Sequence, residues 1–177
     1  MNEAVIYAKY NQEGNKIILD LLDKMSNDDR EKNRDSFYGS LSGLFRHIVG
    51  GTQFFLGIYK TALSSNAAAL KAISAIENLP RQPEGSLSEA QWKELKSAAS
   101  AVDAAYVGMV EALSESDLSL PVKIEWYGGN PASVPLSFML SQLVVHNTHH
   151  RGQISQIFDS LKIDNDYSGI NVKFLSK

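Results

Sequence analysis

His146-Asn147-Thr148-His149-His150-Arg151-Gly152-Gln153 packs three histidines into five residues, inside an apolar pattern running from about Leu136 to Leu161. Within it Met139, Leu143, His146, His150, Gln153 and Ile157 recur in alternating steps of four and three. That spacing belongs to one face of one helix. It predicts a long helix with His146 and His150 one turn apart on the side that faces the core, and His149 pointing elsewhere. Two imidazoles at i and i+4 on one helix face can chelate a single ion. The rest of the chain has to supply a further ligand.

Three other long helical patterns precede this one. Glu3 to Met25 carries Tyr7, Tyr10, Ile17, Ile18, Leu21, Leu22 and Met25 on a broad apolar stripe, with Gly14 in mid-pattern as a point of close packing. Ser26 to Asp35 is charged and aperiodic and reads as a connecting loop. Phe37 to about Leu63 reads as a second helix, capped by Ser36, with Leu41, Leu44, His47, Ile48, Phe54, Phe55 and Ile58 on its stripe; Gly50-Gly51 weaken it midway. Ala67 to Leu79 extends this helix or forms a short separate one, before a loop marked by Pro80, Pro83 and Gly85.

The third long helix opens on a capping box, Ser88-Glu89-Ala90-Gln91, followed by Trp92, Leu95, Ala99, Val102, Tyr106, Met109 and Leu113 in unbroken steps of three and four. At that spacing Trp92, Tyr106 and Met109 read as core rather than as a cofactor box. Between Leu118 and Pro135 the period changes: Val122, Ile124 and Trp126 alternate with polar residues and run into Gly128-Gly129-Asn130, as in a small hairpin or an extended crossover, with Trp126 and Tyr127 at its turn or as a lid. Four long helices with a short β excursion before the last predict an all-α four-helix bundle, one domain over residues 1–177.

The 177 residues are 44% apolar and 21% charged, with a net charge of −3, an ordinary globular balance. No basic face or lysine-arginine run supplies the electrostatic attraction that drives nucleic-acid binding. The N-terminal residues lack the pattern of a secretion signal, and no apolar run approaches the about 20 residues a membrane span needs, so the expectation is a soluble cytoplasmic protein. Cysteine is absent. Any transition metal must therefore be held by nitrogen and oxygen, and any thiol chemistry must use a thiol brought from outside.

Of the four histidines, His47, His146 and His150 fall on apolar helix faces. A buried histidine is often only a satisfied core residue. Three imidazoles buried together without a shared partner, however, leave unpaired nitrogens that cost free energy, and a common ion removes that cost. A three-nitrogen set without thiolate suits Zn²⁺ or Ni²⁺ first, with Fe²⁺, Co²⁺ or Mn²⁺ where oxygen completes the shell. Three protein ligands leave a position open, as catalytic sites do.

With His47 in Phe45-Arg46-His47-Ile48, the run His146-x3-His150-Arg151-Gly152-Gln153, and Tyr10-Asn11-Gln12-Glu13-Gly14-Asn15 in the first helix, nearly the whole chain resembles the DinB-like family of DNA-damage-inducible, YfiT-like metalloproteins. The resemblance implies a four-helix bundle with a divalent metal between its second and fourth helices, held by His47, His146 and His150, often in a homodimer. Some relatives are thiol-dependent transferases, which implies a low-molecular-weight thiol and an electrophilic small molecule as partners. Two positions depart from the pattern: Glu13 stands where a tryptophan is common, and Thr52 where an aspartate is common.

Around the triad, Gln153 shares the ligand face and is expected to orient a ligand or substrate, as is Arg151, whose alternative is an ordinary solvated or paired side chain. Asn11 and Asn15, one turn apart, are expected to hydrogen-bond across the bundle or to a ligand. Three functions follow: a metal-dependent thiol transferase; a non-catalytic, stress-associated binding protein with a structural or vestigial site; and, last, a metal-dependent hydrolase, which would need a carboxylate base near the ion.

Overall fold

The computed structural model describes residues 3–80, 83–125 and 131–175. Four long helices, α1 (Glu3–Leu22), α3 (Leu41–Ala62), α5 (Glu89–Glu111) and α6 (Leu136–Ser160), carry the fold, with two shorter ones, α2 (Asn27–Glu31) and α4 (Ala67–Ser74). α1 and α3 each pack against both α5 and α6, so the order around the bundle is α1, α5, α3, α6; α4 lies on α5 and α3. Strands β1 (Pro121–Ile124) and β2 (Ala132–Pro135) form an antiparallel hairpin in the register Pro121↔Pro135 to Ile124↔Ala132. Val122 and Ile124 turn inward toward α3, and β2 runs directly into α6. Among the described residues no helix is long and apolar enough to cross a membrane.

Helix starts follow local chemistry. Ser88 and Gln91 complete the expected reciprocal capping box on α5. α3 begins at Leu41 rather than Phe37, because Ser36 to Gly39 close a tight turn in which Gly39 takes a left-handed φ of 74°. Ser40, not Ser36, then caps the helix by accepting from the Gly43 amide at 3.0 Å. The stretch read as a loop contains α2, which Ser26 caps from the Asp29 amide at 3.2 Å. Arg30 fastens it: the buried guanidinium donates to the Leu22 and Met25 carbonyls and to Glu89, and lies 4.7 Å over Trp92. α4 is a separate helix capped by Asn66, whose side chain accepts from the Ala69 amide.

The core is contiguous across the bundle, from Ala8, Ile18 and Leu22 of α1 to Leu140, Leu143, Ile154 and Phe158 of α6. Each buried leucine or phenylalanine contributes about 1.5–3 kcal/mol through removal of apolar surface from water. Trp92, Tyr106 and Met109 are buried in it, as their spacing predicts. Two stripe residues are exposed instead, Phe54 at 58% and Tyr7 at 39%. Trp126, Tyr127, Gly128, Gly129 and Asn130, expected to make a turn or lid, lie outside the described residues. α3 runs unbroken through Gly50-Gly51.

Candidate metal centre

α3 and α6 bring the three predicted histidines to one point. His47, His146 and His150 each offer a ring nitrogen within 4.8 Å of the others, and they are the group of this kind among the described residues. His47 Nε2 lies 2.9 Å from His146 Nε2. The His47 and His146 ring centroids stand 4.5 and 4.6 Å from that of His150. A tetrahedral ion with bonds of about 2.0–2.1 Å spaces its ligands roughly 3.3 Å apart, so small side-chain adjustments suffice.

Backbone geometry makes this approach possible. A Cβ on Gly51 would stand 2.8 Å from His146 Cε1, closer than carbon atoms pack. The glycine that weakens α3 in sequence terms is the one that lets the His146 ring reach His47.

Hydrogen bonds orient the rings. His146 Nδ1 is 3.0 Å from Asn147 Oδ1, and His150 Nδ1 is 2.8 Å from Gln153 Oε1. With amide oxygens as partners, both Nδ1 atoms carry the proton, and both Nε2 lone pairs are left for a ligand. On the other side the Tyr38 ring stacks on His47 with centroids 4.0 Å apart, and its hydroxyl lies 2.9 Å from His47 Nε2. Burial, reinforced by the neighbouring imidazoles, lowers the pKa of His47 to about 4. Burial also lowers that of His150, against the opposing hydrogen bond it donates to Gln153. Neutral imidazole is the form that binds metal, so burial holds His47 and His150 ready to ligate.

Beneath the histidines lies a buried polar network. Asn11 and Asn15 donate to the Asp103 carboxylate at 3.1 and 2.9 Å. Their Oδ1 atoms accept from Arg151 Nη1 at 2.7 and 3.3 Å. The guanidinium also lies 4.9 Å from the centre of the Tyr10 ring. Gly14 makes room for it, since a Cβ there would stand 3.3 Å from Arg151 Cδ. Asn147 donates to Asn11 Oδ1 and to Thr52 Oγ1, each at 2.9 Å. Burial pushes the Asp103 carboxyl up to about 7, against the two asparagines and Arg151, which pull it down.

The residues singled out in the sequence thus divide. Gln153 touches a proposed ligand directly. Arg151 is 1% exposed and faces the core rather than solvent. Asn11 and Asn15 bridge α1 to both α5 and α6, and His149 is exposed. The face of α6 that points to the core runs through Leu140, Leu143, Asn147, Arg151, Ile154 and Phe158, so the histidines stand at its edge, with His146 only half-buried. Tyr38, Asp103 and Asn147 had not been singled out. The signal for Asn147 was its phase with Leu143 and Ile154; Asp103 sits beside Val102 in the α5 stripe. Tyr38, in a turn, had none.

A groove of about 1270 Å³ opens beside the centre. His47, Gly51 and Tyr38 form part of its wall, together with Phe37, Phe54 and Ile58. No curated protein and no solved structure matches the chain in comparison searches. A family model, that of the DinB family, matches residues 1–161, which take in all four long helices and the three histidines. The chain belongs to the DinB family.

Proposed function

We propose that the protein is a metal-dependent thiol S-transferase, holding a divalent ion on His47, His146 and His150 and joining an external low-molecular-weight thiol to an electrophilic small molecule. One observation carries the reading: the three ring nitrogens converge, and one of the three histidines, His47, lines an open groove, so the cluster adjoins a space that a small molecule can enter. When bound, the metal supplies Lewis acidity that keeps a thiol as thiolate near neutral pH. Asn147 and Gln153 hold the protons of His146 and His150 on Nδ1, away from the site. The Tyr38 hydroxyl, 2.9 Å from His47 Nε2, is a hydrogen-bonding group beside that ligand in a residue that lines the groove. Phe37, Phe54 and Ile58 give the acceptor apolar surface to lie against. With no cysteine in the chain, the thiol comes from solution.

The test is a panel of glutathione, bacillithiol and coenzyme A against electrophilic acceptors, using zinc- and nickel-loaded protein. Turnover that His150→Ala abolishes while the circular dichroism spectrum is retained supports the proposal. Stoichiometric metal without turnover on any pair, with His146→Ala altering only the melting temperature, would favour the non-catalytic reading.

A further inference from the structure

We propose that Asn147 is a positioning residue that holds His146 in its Nδ1–H tautomer, its own amide being locked by Asn11 and Thr52. The inference rests on the metal-binding reading of the histidine cluster and is independent of the thiol chemistry.

The lock can be followed bond by bond. Asn11 lies between a group that accepts, the Asp103 carboxylate at 3.1 Å, and one that only donates, Arg151 Nη1 at 2.7 Å. Reversing the Asn11 amide would set its N–H groups against the guanidinium and its oxygen against the carboxylate. Asn11 therefore has one orientation, with Oδ1 toward Asn147. Thr52 has one as well: its hydroxyl donates to the Ile48 carbonyl at 2.9 Å, so only the oxygen lone pairs remain for Asn147. Both neighbours of Asn147 Nδ2 are thus acceptors, which turns Asn147 Oδ1 toward His146 Nδ1 at 3.0 Å. Asn147 and Thr52 are 0% exposed, so water does not compete for these bonds.

The consequence is specific to His146. An amide oxygen can pair only with a protonated Nδ1, so the Nε2 lone pair faces His47 before any ion arrives. His150 has a comparable bond, but its partner Gln153 is partly exposed and no second bond fixes it among the described residues, so that bond is not locked in the same way. The Tyr10-Asn11…Asn15 motif of α1 thereby acts on the metal centre without touching a ligand.

The test uses the full chain in its metal-free form, ¹⁵N-labelled, with two-bond ¹H–¹⁵N correlation of the four imidazoles and assignment by His→Gln variants. His146 is expected to show the Nδ1–H pattern. Asn147→Leu, and Asn11→Leu combined with Thr52→Val, should move it toward Nε2–H and weaken zinc binding about 10- to 100-fold. An Nε2–H pattern for His146 in the wild type overturns the proposal even if no variant folds. So does an Asn147→Leu protein with unchanged tautomer and zinc affinity. Because the tautomer is read without metal, failure of the wild type to take up zinc counts against the metal reading and not against the Asn147 assignment.

Discussion

Replacing Gly51 by alanine separates fold stability from metal binding. The added Cβ would stand 2.8 Å from His146 Cε1, whereas unstrained carbon contacts lie at about 3.5–4.0 Å, so the ring must retreat by about 0.7 Å or more. Ligating groups have to be held within about 0.5 Å of their working geometry. The same movement strains the 3.0 Å bond from His146 Nδ1 to Asn147. We expect a loss of zinc affinity of about 10- to 100-fold, the range seen when support for a ligand is removed. Gly50→Ala is the control, since its Cβ would meet nothing within 4 Å. Alanine gains about 1 kcal/mol over glycine inside a helix. Gly50→Ala should therefore raise the melting temperature of the metal-free protein by about 2–4 °C and leave affinity alone. Competition titration against a chelator reads affinity, and thermal melts read stability. If Gly51→Ala bound zinc as tightly as Gly50→Ala and the wild type, His146 would not occupy a ligating position and the geometric argument would fail.

The remaining expectations concern charge and hydrogen bonding. His47, with its pKa lowered to about 4, contributes stability that is present above about pH 6.5 and lost as pH falls toward 4, because the unfolded chain takes the proton first. Asp103, raised to about 7, contributes with the opposite sign: its stability is present below about pH 4 and lost as pH rises through 7. The two oppose each other in metal-free protein, so urea midpoints across this window should fall on acidification in Asp103→Asn and fall with rising pH in His47→Gln; matching profiles for both variants would refute the assignments. Arg151→Leu removes the donor to Asn11 and Asn15 and the cation that faces Asp103 across them, and should cost about 1–3 kcal/mol, with the Asp103→Leu/Arg151→Leu double variant losing less than the sum of the singles; strict additivity in denaturant unfolding would show the two groups uncoupled. Tyr38→Phe removes one half-buried hydrogen bond, worth about 0.5–1.5 kcal/mol, but no nitrogen donor. Zinc affinity should stay within about threefold of wild type, and a complete loss of binding would make Tyr38 itself a ligand.

What could be read from the residues was whatever repeats with a helix's period. The capping box at Ser88 and the α5 stripe declare themselves in one dimension, and the structure places them as expected; the His146/His150 pair shares one side of α6, as its spacing implies, but at the edge of the buried face rather than at its centre. α2 was hidden because a short helix rich in charge has no apolar stripe; what holds it is Arg30 reaching Leu22, Met25 and Glu89. The start of α3 was misplaced by four residues' worth of turn, since Ser36 and Ser40 are equally good caps until Gly39 adopts its left-handed conformation. The polar core was legible only in part. Asn11 and Asn15 sit in phase with Ala8, Ile18 and Leu22, and Asn147 and Arg151 with Leu143 and Ile154. A polar side chain in phase with a core stripe is a signal, but its partner lies on another helix and cannot be read from spacing. Tyr38 reaches His47 through a turn, where no period operates.

The central claim is that His47, His146 and His150 hold a divalent ion, and metal analysis tests it most directly. Protein purified without a polyhistidine tag, incubated with zinc or nickel and freed of excess by gel filtration, should carry stoichiometric metal, and His146→Ala and His150→Ala should lose it. Wild-type protein that emerges metal-free after that incubation would contradict the account.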